Sequence, residues 1–498
     1  MSPFNHSIDT NSTFHTEDGV YIYPATGINI LIVGAGVGGL VTALECHRKG
    51  HNVRILERTA GASTGGDMFT IGRSGRLFLD HYPAMKREFT EISIHDGWMR
   101  YRKHTGEAIG DALPFSKLVG GQKMSADDQP MVTQLRPLFH QMLYRQIKRF
   151  GIKIQYEQQV VEYYEDEERS VGGVVLKNGE RMEADLVIAA DGLGSKSQHL
   201  VLGGESKGKP SGRSIFRAAW PLEMAEKDPV VKEYFGLKDG KYPMMQGWLG
   251  PDTHAMSLSY VDKNGQNGLM CWGLTFTEPG EQSTTESWHY KVSTDDVLKI
   301  LEQTPGWGEP MIRLVKTMPE GSIVFWPLLW RNPTRTTCSA ACFVVQIGDA
   351  AHSFLPTSGN GATQAIEDAV TIAACLQRSG KDKLALGVAT HSLLRSDRVS
   401  CAQRLGFHNA ERYHKQDMEK VGSDPEKVKA RVPKWIFMLD PEKYVDENYN
   451  TASASLCGGP EFINTNIPPG YTPDAWTLEG VEKLHAEGKG IELTGDWS

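Results

Sequence analysis

Ile28-Asn-Ile-Leu-Ile-Val33-Gly34-Ala-Gly36-Val-Gly-Gly39-Leu40 is the stretch on which the fold of this chain turns. The short apolar run stopped by Gly34 has the pattern of a strand buried on both faces. Leu40, Ala43, Leu44 and His47 then recur at helical spacing up to Gly50, and Val53-Arg-Ile-Leu56 resumes the strand pattern. Strand, helix and strand in so short a span make a βαβ unit, and therefore parallel strands. Gly34, Gly36 and Gly39 match G-x-G-x-x-G directly after a strand and at the opening of a helix. In that setting the first glycine makes the tight turn and the second lets backbone N–H groups reach a pyrophosphate. The third allows close helix–strand packing, and the helix N-terminus favours negative charge. Glu57 lies 57 − 34 = 23 residues beyond the first glycine, at the end of the second strand. A carboxylate there accepts hydrogen bonds from ribose hydroxyls and repels a 2′-phosphate. A merely glycine-rich βα turn would lack this combination, so the unit is expected to bind a dinucleotide.

Two later segments bear on which dinucleotide. Leu186-Val-Ile-Ala-Ala-Asp191-Gly192 is a buried strand running into Asp-Gly, a pair that alone often marks only a turn. Phe343-Val-Val-Gln-Ile-Gly348-Asp349-Ala-Ala-His352 brings an aspartate to a strand's C-terminal end, where it can hold a polyol hydroxyl. Pro356, Gly359 and Gly361 then lead into the N-terminus of a helix expected over 362–378, with Ala365, Ile366, Ala369, Val370, Ala373 and Leu376 on one face. Backbone amides and the positive dipole end at that point can stabilise negative charge on a reduced flavin.

With these motifs in hand, the chain resembles the class A FAD-dependent monooxygenases, the para-hydroxybenzoate hydroxylase-like group, over roughly residues 28–400. The glycine motif, Asp191-Gly192 and Gly348-Asp349-Ala-Ala-His-x-x-x-Pro356 stand in the family's order, and Glu367-Asp368-Ala369 fits its Glu-Asp-Ala ending. Arg136, in Gln134-Leu-Arg-Pro-Leu138, matches the family's FAD-contacting arginine. Gly66-Asp67-Met-Phe-Thr-Ile71 and Pro356-Thr-Ser-Gly-Asn-Gly361 look closest to fungal secondary-metabolite members. The resemblance implies an α/β fold in which a Rossmann-like FAD-binding domain of the GR2 type interleaves with a mostly antiparallel substrate sheet, followed by a helical C-terminal part. It implies FAD held by Gly34, Gly36, Gly39, Glu57, Arg58, Arg136, Asp191, Gly192, Gly348, Asp349, Pro356, Gly359, Asn360, Gly361 and Ala362. It further implies NAD(P)H as a transient reductant and O2 as co-substrate, with a flavin C4a-hydroperoxide as the oxygen donor. No second strand-borne G-x-G-x-x-G follows, as a separate nicotinamide domain would require. One departure is Lys196, the only cation where the family's Asp-Gly segment usually continues to an arginine.

On the substrate side, Arg217 sits on a predicted strand, where related members place an arginine near the flavin. A cation there favours a deprotonated, more nucleophilic ring; the bland alternative is a surface arginine on an amphipathic strand. Asp67 is a candidate facing the active site or a simple turn residue, and Tyr260 a weaker hydrogen-bonding candidate that ordinary sheet packing would also explain. His352 is expected to brace the flavin loop rather than to act as a base. Trp220, Trp248, Trp272, Phe276, Trp326 and Trp330 crowd the central region. Such walls suit a planar guest, although only one or two of them are expected to line a pocket.

Domain boundaries are expected at 1–27 for a polar N-terminal arm and at 28–105, 134–204 and 338–400 for the FAD-binding domain. Segments 106–133 and 205–337 make the substrate domain, 401–444 C-terminal helices and 445–498 a loop-rich tail. Residues 153–164 and 171–176 read as antiparallel strands, with Glu165-Asp-Glu-Glu168 as a solvated hairpin tip. The balance of 53 − 61 = −8 speaks against a nucleic-acid partner. Seven scattered cysteines without C-x-x-C, no leader and no long apolar run point to a reducing, cytoplasmic setting without a transmembrane segment. No metal-ligating pattern is present, and a monomer or homodimer is expected. The activity expected is oxygenation of an electron-rich aromatic or indole-alkaloid-like small molecule. The alternatives are epoxidation of a prenylated or isoprenoid olefin and, more remotely, a flavin-bound regulatory module. Halogenation lacks its W-x-W-x-I-P segment.

Overall fold

The computed structural model describes residues 14–62, 65–117, 128–204, 208–278, 290–414 and 418–497. Strand Asn29–Val33 lies at the centre of a five-stranded sheet ordered Val344–Gln346, Leu186–Ala189, Asn29–Val33, Asn52–Leu56 and Ile154–Gln155. Every pairing in it is parallel. The apolar run is continuous because both faces are covered. Ile30 and Ile32 pack with Leu40, Leu44, Ile366 and Ala369 of helices Val37–Arg48 and Gly361–Ser379. Leu31 and Val33 pack with Tyr163, Val174 and Leu176 of a three-stranded antiparallel sheet on the opposite face.

A second sheet has eight strands, in the order Lys291–Val292, Ile323–Trp330, Lys209–Pro221, Leu269–Thr277, Thr253–Tyr260, Met244–Gly250, Trp98–Lys103 and Ala108–Pro114. It is antiparallel except where Met244–Gly250 runs parallel to Trp98–Lys103. Phe216, Ala218, Trp220, Trp248, Trp272 and Phe276 project from one face into a core shared with helices Thr294–Glu302 and Glu309–Lys316. Strand alternation turns Ile215, Arg217 and Ala219 to the other face. Between the two sheets, Met68–Gly72 and Met131–Leu135 form a two-stranded ribbon.

The expected organisation needs several corrections. Trp98–Lys103, assigned by sequence to the cofactor segments, hydrogen-bonds into the eight-stranded sheet. Residues 153–164 are not one strand. Ile154–Gln155 extends the parallel sheet, Glu157 turns with φ 60°, and Val160–Asp166 starts the antiparallel sheet. Within the arm 1–27, of which residues 1–13 lie outside the described residues, His15–Glu17 and Val20–Ile22 form a hairpin with Val20 and Ile22 in the core. Glu165 is no solvated tip, since its carboxylate accepts hydrogen bonds from Ala341 N at 3.0 Å, Phe343 N at 3.3 Å and Ser339 Oγ at 2.5 Å. The tail 445–498 contains most of helix Pro441–Leu456 and all of Leu478–Ala486. Asp440 caps the first of these with Pro at its first turn, a start signal legible in the sequence. Glu442 then docks it on Arg48 and Lys49, both at 2.5 Å.

Helix Leu384–His414 is fastened by a buried ionic network. Arg398 donates to Glu367 at 2.6 and 2.8 Å, and to the carbonyls of Trp435, Ile436 and Asn466. Arg395 bonds both Glu367 and Asp368 at 2.6 and 2.7 Å. Burial opposes ionisation of Glu367, but the two arginines prevail and hold its carboxyl below the ordinary value. Removing one member of such a group strands a buried charge. Arg398→Met is therefore expected to cost about 3–5 kcal/mol in chemical denaturation, with loss within about 1 kcal/mol as the contrary result. Among the described residues, no helix is long and apolar enough to cross a membrane.

Candidate active site

The glycine loop separates packing from access. A Cβ at Gly39 would lie 2.0 Å from Gly34 O, and one at Gly34, whose φ is +105°, 2.4 Å from Ala190 O. Those positions exist to let strand, helix and the neighbouring strand touch. A Cβ at Gly36 would meet nothing within 4 Å. Helix Val37–Arg48 starts there with no side-chain cap and no acid in its first turn, leaving amides and the positive dipole end facing that space. Glu57 steadies the loop, accepting from Ala35 N at 2.8 Å through Oε2 and from Thr59 N at 2.9 Å through Oε1. On the other side, His140 Nε2 donates to Ala35 O at 2.8 Å, and burial above all lowers its pKa.

At the neighbouring strand end, Asp191 accepts from Tyr163 OH at 2.8 Å through Oδ2, while Oδ1 is buried without a hydrogen-bond partner. Desolvation raises this carboxyl, opposed first by the hydroxyls of Ser195 and Tyr163 and last by nearby Arg58. Added Cβ atoms at Gly192 and Gly194 would meet nothing within 4 Å. The next strand end carries Gly348-Asp349. The Asp349 residue is open to solvent-sized space, yet desolvation raises its carboxyl against His352, Arg136 and Arg331. A side chain both wetted and deep among protein atoms lies on the inner wall of a cleft. Gly348 N and His352 Nε2 donate to Asp368 Oδ2 at 2.9 and 2.6 Å, so His352 is spent on holding the loop. Pro356–Ser358 forms a single 3-10 turn, and Gly359 takes a φ of +59° that favours glycine. Asn360 amide donates to Ser358 O at 2.6 Å. Helix Gly361–Ser379 then begins without a side-chain cap or an acid in its first turn, which includes Ala362.

The ribbon between the sheets brings the candidate catalytic groups together. Arg217 Nε donates to Asp67 Oδ2 at 2.8 Å and Nη2 donates to Oδ1, a bidentate pair. Burial alone would lower Arg217, but Asp67 outweighs it and the guanidinium ends above its ordinary value. Arg136 N donates to Asp67 O at 2.8 Å. Its guanidinium is lowered by burial and by Arg217, and raised by Asp67 and Asp349. Asp67, Arg136, Arg217 and Asp349 therefore share one electrostatic neighbourhood. Tyr260 is not drawn into it. It sits on the same sheet face, four register positions from Arg217 along the strand, about 13 Å at strand rise, within an apolar cluster with Ile94, Leu135 and Leu258. Trp220, Trp248 and Trp272 are core residues of the opposite face. Trp330 packs against Phe407 and Trp476, which leaves Trp326, paired with Ile215, on the Arg217 face.

Three supporting residues escape the sequence reading. Arg331 donates to Asp349 O at 3.4 Å, to Ala350 O at 3.2 Å and to Leu193 O, tying the Gly348-Asp349 loop to the Asp191-Gly192 segment. His140 braces the glycine loop, and its spacing of four residues from Arg136 on one helix was an available signal. Tyr163 lies on the antiparallel sheet, and nothing local announces its contact with Asp191.

Comparison with known proteins identifies the fold and the family. A family model described as an NAD(P)-binding Rossmann-like domain matches residues 32–86. The FAD-dependent monooxygenase dmxR9 of Cryptosporiopsis sp. (strain 8999) is 43% identical over 484 residues, covering 96% of this chain and 91% of that protein. Among solved structures, FqzB superposes with a TM-score of 0.77 at 27% identity, covering 91% of this chain and 99% of that one. CtdE in complex with FAD and a substrate gives 0.75 at 25% identity, over 86% and 100%.

Proposed function

The chain belongs to the FAD-dependent monooxygenases, and on that premise we propose that it hydroxylates or epoxidises an electron-rich aromatic or indole-alkaloid-like small molecule of secondary metabolism. FAD is its cofactor, with NAD(P)H as reductant and O2 as co-substrate. The residues present fit that group. Space opens at Gly36, Gly192 and Gly194, the buried Asp191 Oδ1 lacks a partner, and two helix N-termini face outward uncapped. Gly36 and the first turn after it would hold the pyrophosphate, Glu57 the adenosine ribose and Asp349 the ribityl hydroxyls. Arg58, Arg136 and Asp191-Gly192 would complete the grip. The amides of Gly361 and Ala362, after Pro356, Gly359 and Asn360, would face the pyrimidine edge of the flavin. When bound, FAD takes hydride from NAD(P)H and activates O2 for transfer as an electrophilic oxygen atom.

The bidentate Asp67–Arg217 pair carries the substrate reading. Asp67 fixes the guanidinium in orientation, and Arg217 presents a permanent cation on the sheet face beside Arg136 and Asp349. A substrate hydroxyl or ring N–H placed against it loses its proton more readily, which raises electron density on the carbon that accepts oxygen. Ile215, Ala219 and Cys271, on the same face, bring apolar contact and keep water from the reacting edge.

The test is incubation with phenols, indole alkaloids and prenylated compounds under labelled O2, followed by product mass spectrometry. One labelled oxygen on an aromatic or indole product, with NAD(P)H oxidation accelerated by the same compound, is the expected result. Label found only across a prenyl double bond would select the epoxidase reading, and none in any product would overturn the proposal.

A further inference from the structure

The seven cysteines are chemically unequal. Cys46, Cys271, Cys375 and Cys401 are buried, and desolvation pushes each thiol up, which keeps them inert. Cys457 is exposed at the end of its helix. Cys338 and Cys342 differ from all of these. Their Sγ atoms lie 3.5 Å apart, and Thr336 Oγ1 is a further 3.5 Å neighbour of Cys338 Sγ. The two residues bracket the turn capped by Glu165, in which Cys342 N donates to Ser339 O at 3.0 Å. Cys338 is buried and Cys342 half-buried, so solvent meets the pair through Cys342. Either sulfur can donate to the other, and that shared hydrogen bond, with the Thr336 hydroxyl beside it, favours a single thiolate within the pair.

We propose that Cys338 and Cys342 form a peroxide-responsive dithiol whose closure to a disulfide loosens FAD. The oxidant follows from the chain's membership of the monooxygenases. Without a receptive substrate, NAD(P)H, a proton and O2 become NAD(P)+ and hydrogen peroxide. The thiolate of the pair attacks one peroxide oxygen, the O–O bond breaks, hydroxide leaves, and that cysteine carries S–OH. The second sulfur then displaces hydroxide from the first. Two thiols lose two electrons and two protons, and the peroxide becomes two waters.

The consequence for flavin lies in the chain path. The turn feeds strand Val344–Gln346, and Cys338 bridges to Val345 across it. That strand carries Gly348 and Asp349 to the cleft. A disulfide holds its sulfurs at about 2.05 Å, so closing the pair from 3.5 Å draws in the turn at the root of the strand.

The experiment treats purified holoenzyme with hydrogen peroxide in the absence of NAD(P)H, alkylates residual thiols, and measures peptide mass and flavin retained after desalting. The 338–342 peptide should lose the mass of two hydrogens, FAD should be released, and dithiothreitol should reverse both. Cys342→Ser should keep its flavin under the same treatment. So should Cys342→Gly, which suits the residue's φ of 63° and guards against a folding defect. Both thiols remaining alkylatable, a disulfide formed with flavin fully retained, or equal flavin loss in the two variants would each overturn the proposal. Because peroxide is added rather than generated by turnover, such a failure leaves the oxygenation reading untouched.

Discussion

Arg217→Ala is expected to lower product formation by about 10²–10³-fold, while the purified protein stays yellow and folded. The size follows from the role proposed for the side chain. It is a fixed cation already oriented by Asp67 at 2.8 Å, so its removal takes away electrostatic help that no water replaces at low cost. Folding should survive better than turnover because the neighbours of Arg217 on the strand, Phe216 and Ala218, anchor the sheet from the opposite face. Arg217→Lys should recover little, since an ammonium cannot make the forked pair with Asp67. The measurement is kcat with the identified substrate beside the flavin absorbance of each variant. Product formation equal to the parent would remove Arg217 from the chemistry. Loss of flavin in step with activity would reassign it to cofactor binding.

Gly36→Val should separate cofactor affinity from stability. Gly36 has φ −73° and ψ −176°, which a β-branched residue adopts without strain, and its Cβ direction is open. The apoprotein should therefore unfold within about 1 kcal/mol of the parent. The same branch would fill the space a pyrophosphate needs. Loss of one or two charge-assisted hydrogen bonds of about 1.5–3 kcal/mol each makes FAD binding about 10²-fold weaker or worse. Gly39→Ala should behave oppositely, because a methyl 2.0 Å from Gly34 O forces the helix off its strand. Titration of apoprotein with FAD, run beside denaturant melts, checks both. Unchanged FAD affinity in Gly36→Val would show that the loop does not cradle the cofactor.

The parts of the fold that were legible are those in which local pattern and tertiary role coincide. Ile30 to Val33 form a continuous apolar run because helices cover one face and an antiparallel sheet the other. The spacing of Gly34, Gly36, Gly39 and Glu57 is set within one βαβ unit. Asp349 and the helix start at Gly361 were readable for the same reason, as a strand end followed by glycine-rich punctuation. Arg331 was not. It follows strand Ile323–Trp330 in an irregular Arg-Asn-Pro segment, and its contacts at 193, 349 and 350 exist only once two sheets meet. The break in 153–164 was hidden because both halves suit a strand, and only the sheets they join distinguish them. Aromatic density misdirects for a related reason. Trp220, Trp248 and Trp272 alternate along their strands as pocket walls would, but on the face that helices cover.

The parallel sheet is assembled from residues 29–33, 52–56, 154–155, 186–189 and 344–346, and the Gly348-Asp349 loop at its edge is locked by Asp368, itself held by Arg395 further on. During synthesis, then, the loop proposed to hold the pyrophosphate leaves the ribosome some three hundred residues ahead of the aspartate and helix end proposed to face the flavin. On the proposed contacts, a nascent chain presents one half of the grip before the other exists. Cofactor loading is then expected late, on a nearly finished polypeptide, and chains ended before residue 349 are expected to stay colourless in the presence of flavin.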